Sequence, residues 1–198
     1  MAWGELSRQA EAENKADRDR WIGVYIGVLA VMLAIGSLGG SNAQQDATIK
    51  TIEASNTWAF FQAKNVRREI VRTEADTLEM QLATHPPATD AAKAAVTERI
   101  KALRARAQTL TTDPKTGEGL DELFKKARGI EAARDVALSR NPYFDYGTAL
   151  LSIAIALGSV ALLTNGAAML IASAFAGILG ALATLNGFTL LVAVPGIG

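Results

Sequence analysis

The groups that could do chemistry in this chain are thinly spread. Its 198 residues hold twenty acids, twenty bases, one histidine and no cysteine. Without a thiol there is neither a disulfide framework nor a thiolate metal site. His85 stands in the loop His85-Pro86-Pro87 with no second ligand beside it, and reads as an exposed loop residue. No Gly-x-Ser-x-Gly elbow, Gly-rich phosphate loop or metal-ligand spacing occurs. We therefore expect no enzyme, no catalytic residue, no metal and no cofactor. Acids and bases are balanced and interleaved, which gives no footprint for nucleic acid. The most distinctive polar chemistry lies in Ile52–Arg67, where Trp58, Phe61, Gln62 and Asn65 share a helical face, with Asn56 nearby. An aromatic beside amides suits a specific interhelical contact, because misplaced polar groups penalise wrong registers. That contact could lie within one subunit or between two.

The elements that must position these residues are set by the last quarter. Asp145 is the final charge, and Tyr146–Gly198 contains no Asp, Glu, Lys, Arg or His. Two apolar runs, 146–164 and 167–193, flank Thr164-Asn165-Gly166. Each is long enough for a hydrocarbon core that needs about 20 residues. Asn165 is expected at the turn, and Asn186-Gly187 where the last span ends or kinks. An ion-lining role for these amides is disfavoured, because no intramembrane charge accompanies them.

Residues 1–20 form a charged tail, expected as a solvated helical extension of the first span. That span occupies residues 21–40, with Trp21 and Tyr25 suited to an interface. Ser41-Asn42-Ala43 resembles a signal-peptidase site, but the acid-rich leading segment is unlike a signal n-region, so an anchor is expected. From Ala43 to Thr84 a long helix is predicted. One heptad stripe runs Ile49, Ile52, Asn56, Ala59, Ala63, Val66, Ile70, Thr73, Thr77, Met80; a second, Val71, Ala75, Leu78, Leu82, joins it distally. The first stripe is poor in large apolar residues, so it should pack on other elements or other subunits. The prolines after His85 end this helix.

A cap at Thr89/Asp90 starts the next helix, to Thr111, with Val96, Ile100, Leu103, Ala107 and Leu110 on one face. A loop over 113–119 comes next. The third helix should bury Leu120, Phe124, Ala127, Ile130 and Ala137, and break at Asn141-Pro142 beside the aromatic belt Tyr143, Phe144, Tyr146. At about 1.5 Å per residue the long helix reaches roughly 60 Å, and the two shorter ones together match it. The fold expected is all-α: three transmembrane helices, and over 41–145 an extramembrane antiparallel coiled-coil-like stalk.

Small residues recur at four-residue intervals in the last span. Ala172, Ala176 and Gly180 form one line with Thr184; Ser173, Gly177 and Ala181 form the next; Gly23 and Gly27 make a shorter copy. Helices in lipid associate by close approach over such residues. Two lines cover two faces, which favours a contact between subunits.

The segment 52–67, together with Phe144-Asp145-Tyr146-Gly147-Thr148 and the run to Thr164, resembles the bacterial membrane-protein family catalogued as domain of unknown function 4337. The resemblance implies the span order and brings no activity. Members of that family carry basic residues between the last two spans, whereas this chain has Thr164-Asn165-Gly166. Arg8, Lys15, Arg18 and Arg20 precede the first span, which places the amino terminus in the cytoplasm and the helical domain in the periplasm. The expected location is the bacterial inner membrane. The expected role is a homo-oligomeric scaffold in contact with membrane lipid, with no nucleic acid partner. The alternatives are an accessory subunit beside other membrane-complex chains, and a channel or transport component.

Overall fold

The computed structural model describes the backbone of residues 2–164 and 166–193, and their side chains from residue 13 onward except Asn14. Asn165 lies outside the described residues, as do the side chains at the start of the charged tail. The described residues are all-α, with four helices: α1 (Ala2–Thr84), α2 (Asp90–Thr111), α3 (Leu120–Thr164) and α4 (Ala167–Thr189). Three of them, α1, α3 and α4, contain windows long and apolar enough to cross a membrane, with mean hydropathy 2.2, 2.0 and 2.1. Less than a third of each window is buried inside the chain, so most of that apolar surface is open to the surroundings.

The helix ends obey the local chemistry. Thr89, in extended conformation, accepts from the Ala92 N–H at 3.3 Å and caps α2. The α1 helix stops at Thr84, one residue before the His85-Pro86-Pro87 loop. At the far end of α4, Leu190 takes a left-handed conformation (φ 50°) and its N–H donates to the Asn186 carbonyl at 2.7 Å. The Asn186 side chain then donates to the Val192 carbonyl at 2.7 Å and accepts from the Val192 N–H at 3.0 Å. Asn186 is thus the clamp that turns the chain just past the helix, which ends at Thr189 rather than continuing to 193.

Two helices run on without interruption, one of them through an expected break. The first span and the helix after Ala43 are one helix, running through Gly39-Gly40-Ser41. These glycines are seats for rings rather than breaks: a Cβ at Gly39 would meet both Phe144 and Phe188. Likewise α3 does not break at Asn141-Pro142. Proline removes one intrahelical donor and crowds the carbonyl four residues earlier, at a cost of about 3 kcal/mol. Burial of Tyr143 and Phe144 in the next turn, and the edge-on contact of Phe144 with Phe188 at 4.8 Å, hold the helix across it.

The chain divides into two compact units. The first comprises residues 1–47 and 135–198 and joins the apolar parts of α1 and α3 to α4. Its core is Leu29, Leu151, Ala154 and Ala176, with Tyr25, Met32, Leu33 and Ile155 packed against them. Ser173, fully buried, donates to the Ala154 carbonyl at 2.6 Å and lies 3.2 Å from the Tyr25 hydroxyl. One hydroxyl therefore ties α4 to both α3 and α1.

The second unit, residues 48–134, is the charged one. Its distal core is Val71, Ala75, Leu103 and Ala107, flanked by Leu78 and Leu110. The faces expected for α2 and for the distal row of α1 supply these residues. On the start of α3, Leu120, Leu123 and Ala127 are buried, whereas Phe124 lies partly open. The first heptad stripe of α1 faces outward instead of packing on the other helices. Ile49 is 62% exposed, Ile52 56%, Val66 58%, Ile70 61% and Met80 62%. The inward row begins with Ala54, Thr57, Phe61, Lys64 and Arg68 and continues into Val71 and Ala75. Its physical reason is that long cationic side chains cover apolar surface with their stems while their heads reach polar partners.

Candidate interaction surfaces

In the charged unit, the residues singled out in 52–67 are divided by the fold. Trp58 and Phe61 turn inward against α3. Trp58 meets Phe61 edge-on at 5.5 Å and Phe124 edge-on at 5.6 Å, and Phe61 lies 6.3 Å from Phe124. Such ring pairs contribute about 0.5–1.5 kcal/mol beyond area burial. The indole N–H donates to Glu131 Oε1 at 2.9 Å, and Arg128 donates to Glu131 Oε2 at 3.2 Å. Asn65 is half-buried and accepts from Arg68 at 2.7 Å. Asn56 and Gln62 are exposed, Asn56 at the edge of a groove that Thr116, Leu123 and Lys126 also line.

Two inward cations complete this face. Lys64 donates to the Glu118 carbonyl, lies 3.8 Å from the Glu118 carboxylate and sits 5.5 Å from the centre of the Phe60 ring. Arg68 donates to Asn65 and, at 2.6 Å, to Glu69. Sequence reasoning overlooked both, because a lysine and an arginine break an apolar stripe. The signal that could have found them is their spacing, which continues Ala54, Thr57 and Phe61 by alternating threes and fours. Farther along, Arg99 pairs with Glu74 at 2.8 Å, and Arg104 pairs with Glu79 at 2.6 Å and Asp76 at 3.4 Å, all on the exposed rim between α1 and α2. Exposed pairs like these set alignment and contribute little stability.

The loop between α2 and α3 is held by Asp113. The Thr116 hydroxyl donates to Oδ2 at 2.7 Å, and the N–H groups of Thr116 and Lys115 donate to Oδ1 at 3.3 Å each. These bonds, the hydroxyl first, hold the Asp113 carboxyl below the usual carboxylate range. A depressed folded-state pKa stabilises the loop above the unfolded value, and that contribution is lost as pH falls through the folded value. Thr116→Val is expected to raise the Asp113 pKa and move acid loosening of the loop to higher pH. A carboxyl titration by NMR on the full chain measures this; an unchanged midpoint would contradict it.

In the apolar unit the two small-residue lines of α4 face the chain's own helices. Ser173, Ala176, Gly177 and Gly180 are buried, Ala181 is half-buried and Ala172 is exposed. A Cβ at Gly177 would come within 3.0 Å of the Tyr25 hydroxyl and 3.1 Å of Leu29. One at Gly180 would come within 3.0 Å of the Gly147 carbonyl. Gly23 and Gly27 have open space around them. The fold therefore uses both lines, apart from Ala172, within one chain. Beside the Asn186 clamp lies an apolar cavity of about 500 Å³, lined in part by Tyr143, Leu182 and Leu185. The Tyr143 hydroxyl donates to the Val192 carbonyl at 3.2 Å.

Among the described residues no group of His, Asp and Glu is placed to hold a metal. His85 is exposed, its Nδ1 3.1 Å from the Thr84 hydroxyl. These features define an all-α protein with three helices of membrane-crossing length and composition, joined to a charged helical unit. The chain belongs to the family described as a domain of unknown function (DUF4337), which matches residues 18–190. Both segments that carry the resemblance fall inside that match. No curated protein and no solved structure matches the chain.

Proposed function

We propose that this chain is a non-enzymatic, three-span protein of the bacterial inner membrane that self-assembles into a homo-oligomeric scaffold. Its amino terminus is cytoplasmic, and the charged unit forms a coiled-coil-like stalk in the periplasm. The observation that carries this reading is the row Ile49, Ile52, Val66, Ile70 and Met80. All five lie more than half exposed, on the charged part of a long helix. Scattered surface apolar residues are ordinary, but an aligned row on one helix marks an interaction surface.

Mass measurement of the intact complex in lipid nanodiscs tests the assembly. An integer multiple of one chain is expected. A strictly monomeric particle, or a fixed ratio with unlike chains, overturns it. Reporters fused near Thr112 test the placement. One that works only in the periplasm is expected to be active, and activity of a cytoplasm-only reporter overturns it.

A further inference from the structure

We propose that the outward row of α1 is the seam of a parallel, in-register two-helix contact with a second copy of this chain, with Asn56 as its polar layer. This rests on the scaffold reading and names the surface and the partner. The row keeps alternating steps of three and four from Ile49 to Met80. Written as heptads, Ile49, Asn56 and Ile70 take a positions, while Ile52, Val66 and Met80 take d positions. None of the five large apolar members is covered by the chain itself.

Three arguments favour a second copy as the occupant. First, Asn56 is exposed at the edge of a groove that Thr57, Phe60 and Leu123 also line, and among the described residues its amide makes no hydrogen bond. An asparagine at a single a position is best satisfied by the same asparagine from an aligned parallel partner, and it disfavours other registers and oligomeric states. An unrelated apolar groove would leave it unpaired. Second, the row and the first apolar span belong to the same helix. Copies inserted alike in one bilayer run parallel, at one depth, so identical positions meet. Third, the size is adequate. Residues 49–80 extend about 47 Å along a helix roughly 10 Å wide, so two such faces bury on the order of 900 Å². That is near the lower limit for a specific interface, and confinement to one membrane raises the effective concentration.

The flanks agree with this pairing. Aligned parallel helices bring each g position to the e position five residues on in the partner. Gln62 would meet the second copy's Arg67, a compatible pair. Glu69 would meet the second copy's Glu74, but each is already neutralised at home, Glu69 by Arg68 at 2.6 Å and Glu74 by Arg99 at 2.8 Å. Phe60, 43% exposed beside the small residues Ala59 and Ala63, fills the seam where it is thin.

The chain has no cysteine, so single cysteines report cleanly. The full-length protein in nanodiscs is oxidised mildly after Ile52→Cys, Ala59→Cys or Val66→Cys, with Thr51→Cys and Arg72→Cys as off-seam controls. Crosslinked pairs of this chain are expected at the three seam positions, at least tenfold more than at the controls. In parallel, Asn56→Lys is expected to lower the dimer fraction at least tenfold without loss of helicity. If the complex has a multiple-copy mass but crosslinks equally at seam and control positions, the seam is wrong and the scaffold reading stands. If the mass is that of one chain, both fail. Crosslinking of the seam positions to a foreign chain overturns the second-copy assignment.

Discussion

Gly180→Leu is expected to destabilise the apolar unit by about 3 kcal/mol or more, at the upper end of what overpacking costs. A Cβ at this position would lie 2.9 Å from Leu151 Cγ, 3.0 Å from the Gly147 carbonyl and 3.0 Å from the Leu151 nitrogen. Across the contact, a Cβ at Gly147 would lie 3.0 Å from the Thr184 nitrogen and 3.1 Å from the Gly180 carbonyl. Backbone meets backbone here, so moving the Leu151 side chain alone cannot relieve the contact. The membrane-crossing composition of α4 is kept, because the substitution raises hydropathy. Thermal unfolding in detergent, read against Gly180→Ala with an expected loss of about 1 kcal/mol, measures the effect. A Leu variant that melts like the parent would show that α3 and α4 are not in this contact. The loss belongs to packing within one chain, so it should appear whether or not copies associate.

Trp58→Ala is expected to weaken the charged unit by about 2–3 kcal/mol, near the lower bound for deleting a large aromatic, because the side chain is only half-buried. It removes two edge-on ring contacts and takes the indole donor from Glu131. Amide hydrogen exchange over residues 48–134 of the full chain should quicken about thirty- to hundred-fold, since each 1.4 kcal/mol is a factor of ten. Glu131→Gln keeps an acceptor for the indole and should cost no more than about 1 kcal/mol. Equal exchange in parent and Trp58→Ala would mean that the cluster does not hold α3 against α1.

What could be read from the residues depended on how purely each segment obeyed one rule. The α2 helix was legible end to end: Thr89 caps it, and the face centred on Ile100, Leu103 and Ala107 is the buried one. The three helices of membrane-crossing length and composition were legible from length and lack of charge. Residues 48–68 were not, because two stripes compete there. Ile49, Ile52 and Val66 make the greasier row, yet the inner row contains Lys64 and Arg68. Hydropathy assigns the first row to the inside; the partner of Lys64 becomes visible only when Glu118 is placed beside it, whereas Arg68 is satisfied locally by Asn65 and Glu69. Pro142 misled for a similar reason. Local rules end a helix there, and the tertiary burial of Tyr143 and Phe144 overrides them. Apart from the exposed Ala172, the small-residue lines of α4 pack against this chain's own helices, Gly180 on α3 and Ser173 and Gly177 on both α1 and α3, so two lines do not by themselves require two chains.

The inner cations have a consequence for what can dock on α1. The inner and outer rows are about 140° apart around the helix at 3.6 residues per turn. An apolar helix from an unrelated protein that settled on the inner row would strand Lys64 against hydrocarbon, away from the Glu118 carbonyl, whereas Arg68 would keep its partners Asn65 and Glu69 on α1 itself. Leaving a buried charge without its partner costs several kcal/mol. Lys64 thus makes the inner row selective for this chain's own loop before α3, which supplies Glu118. Under the proposed self-association, aligned copies meeting on the outer row would not compete for the contacts that keep each copy folded.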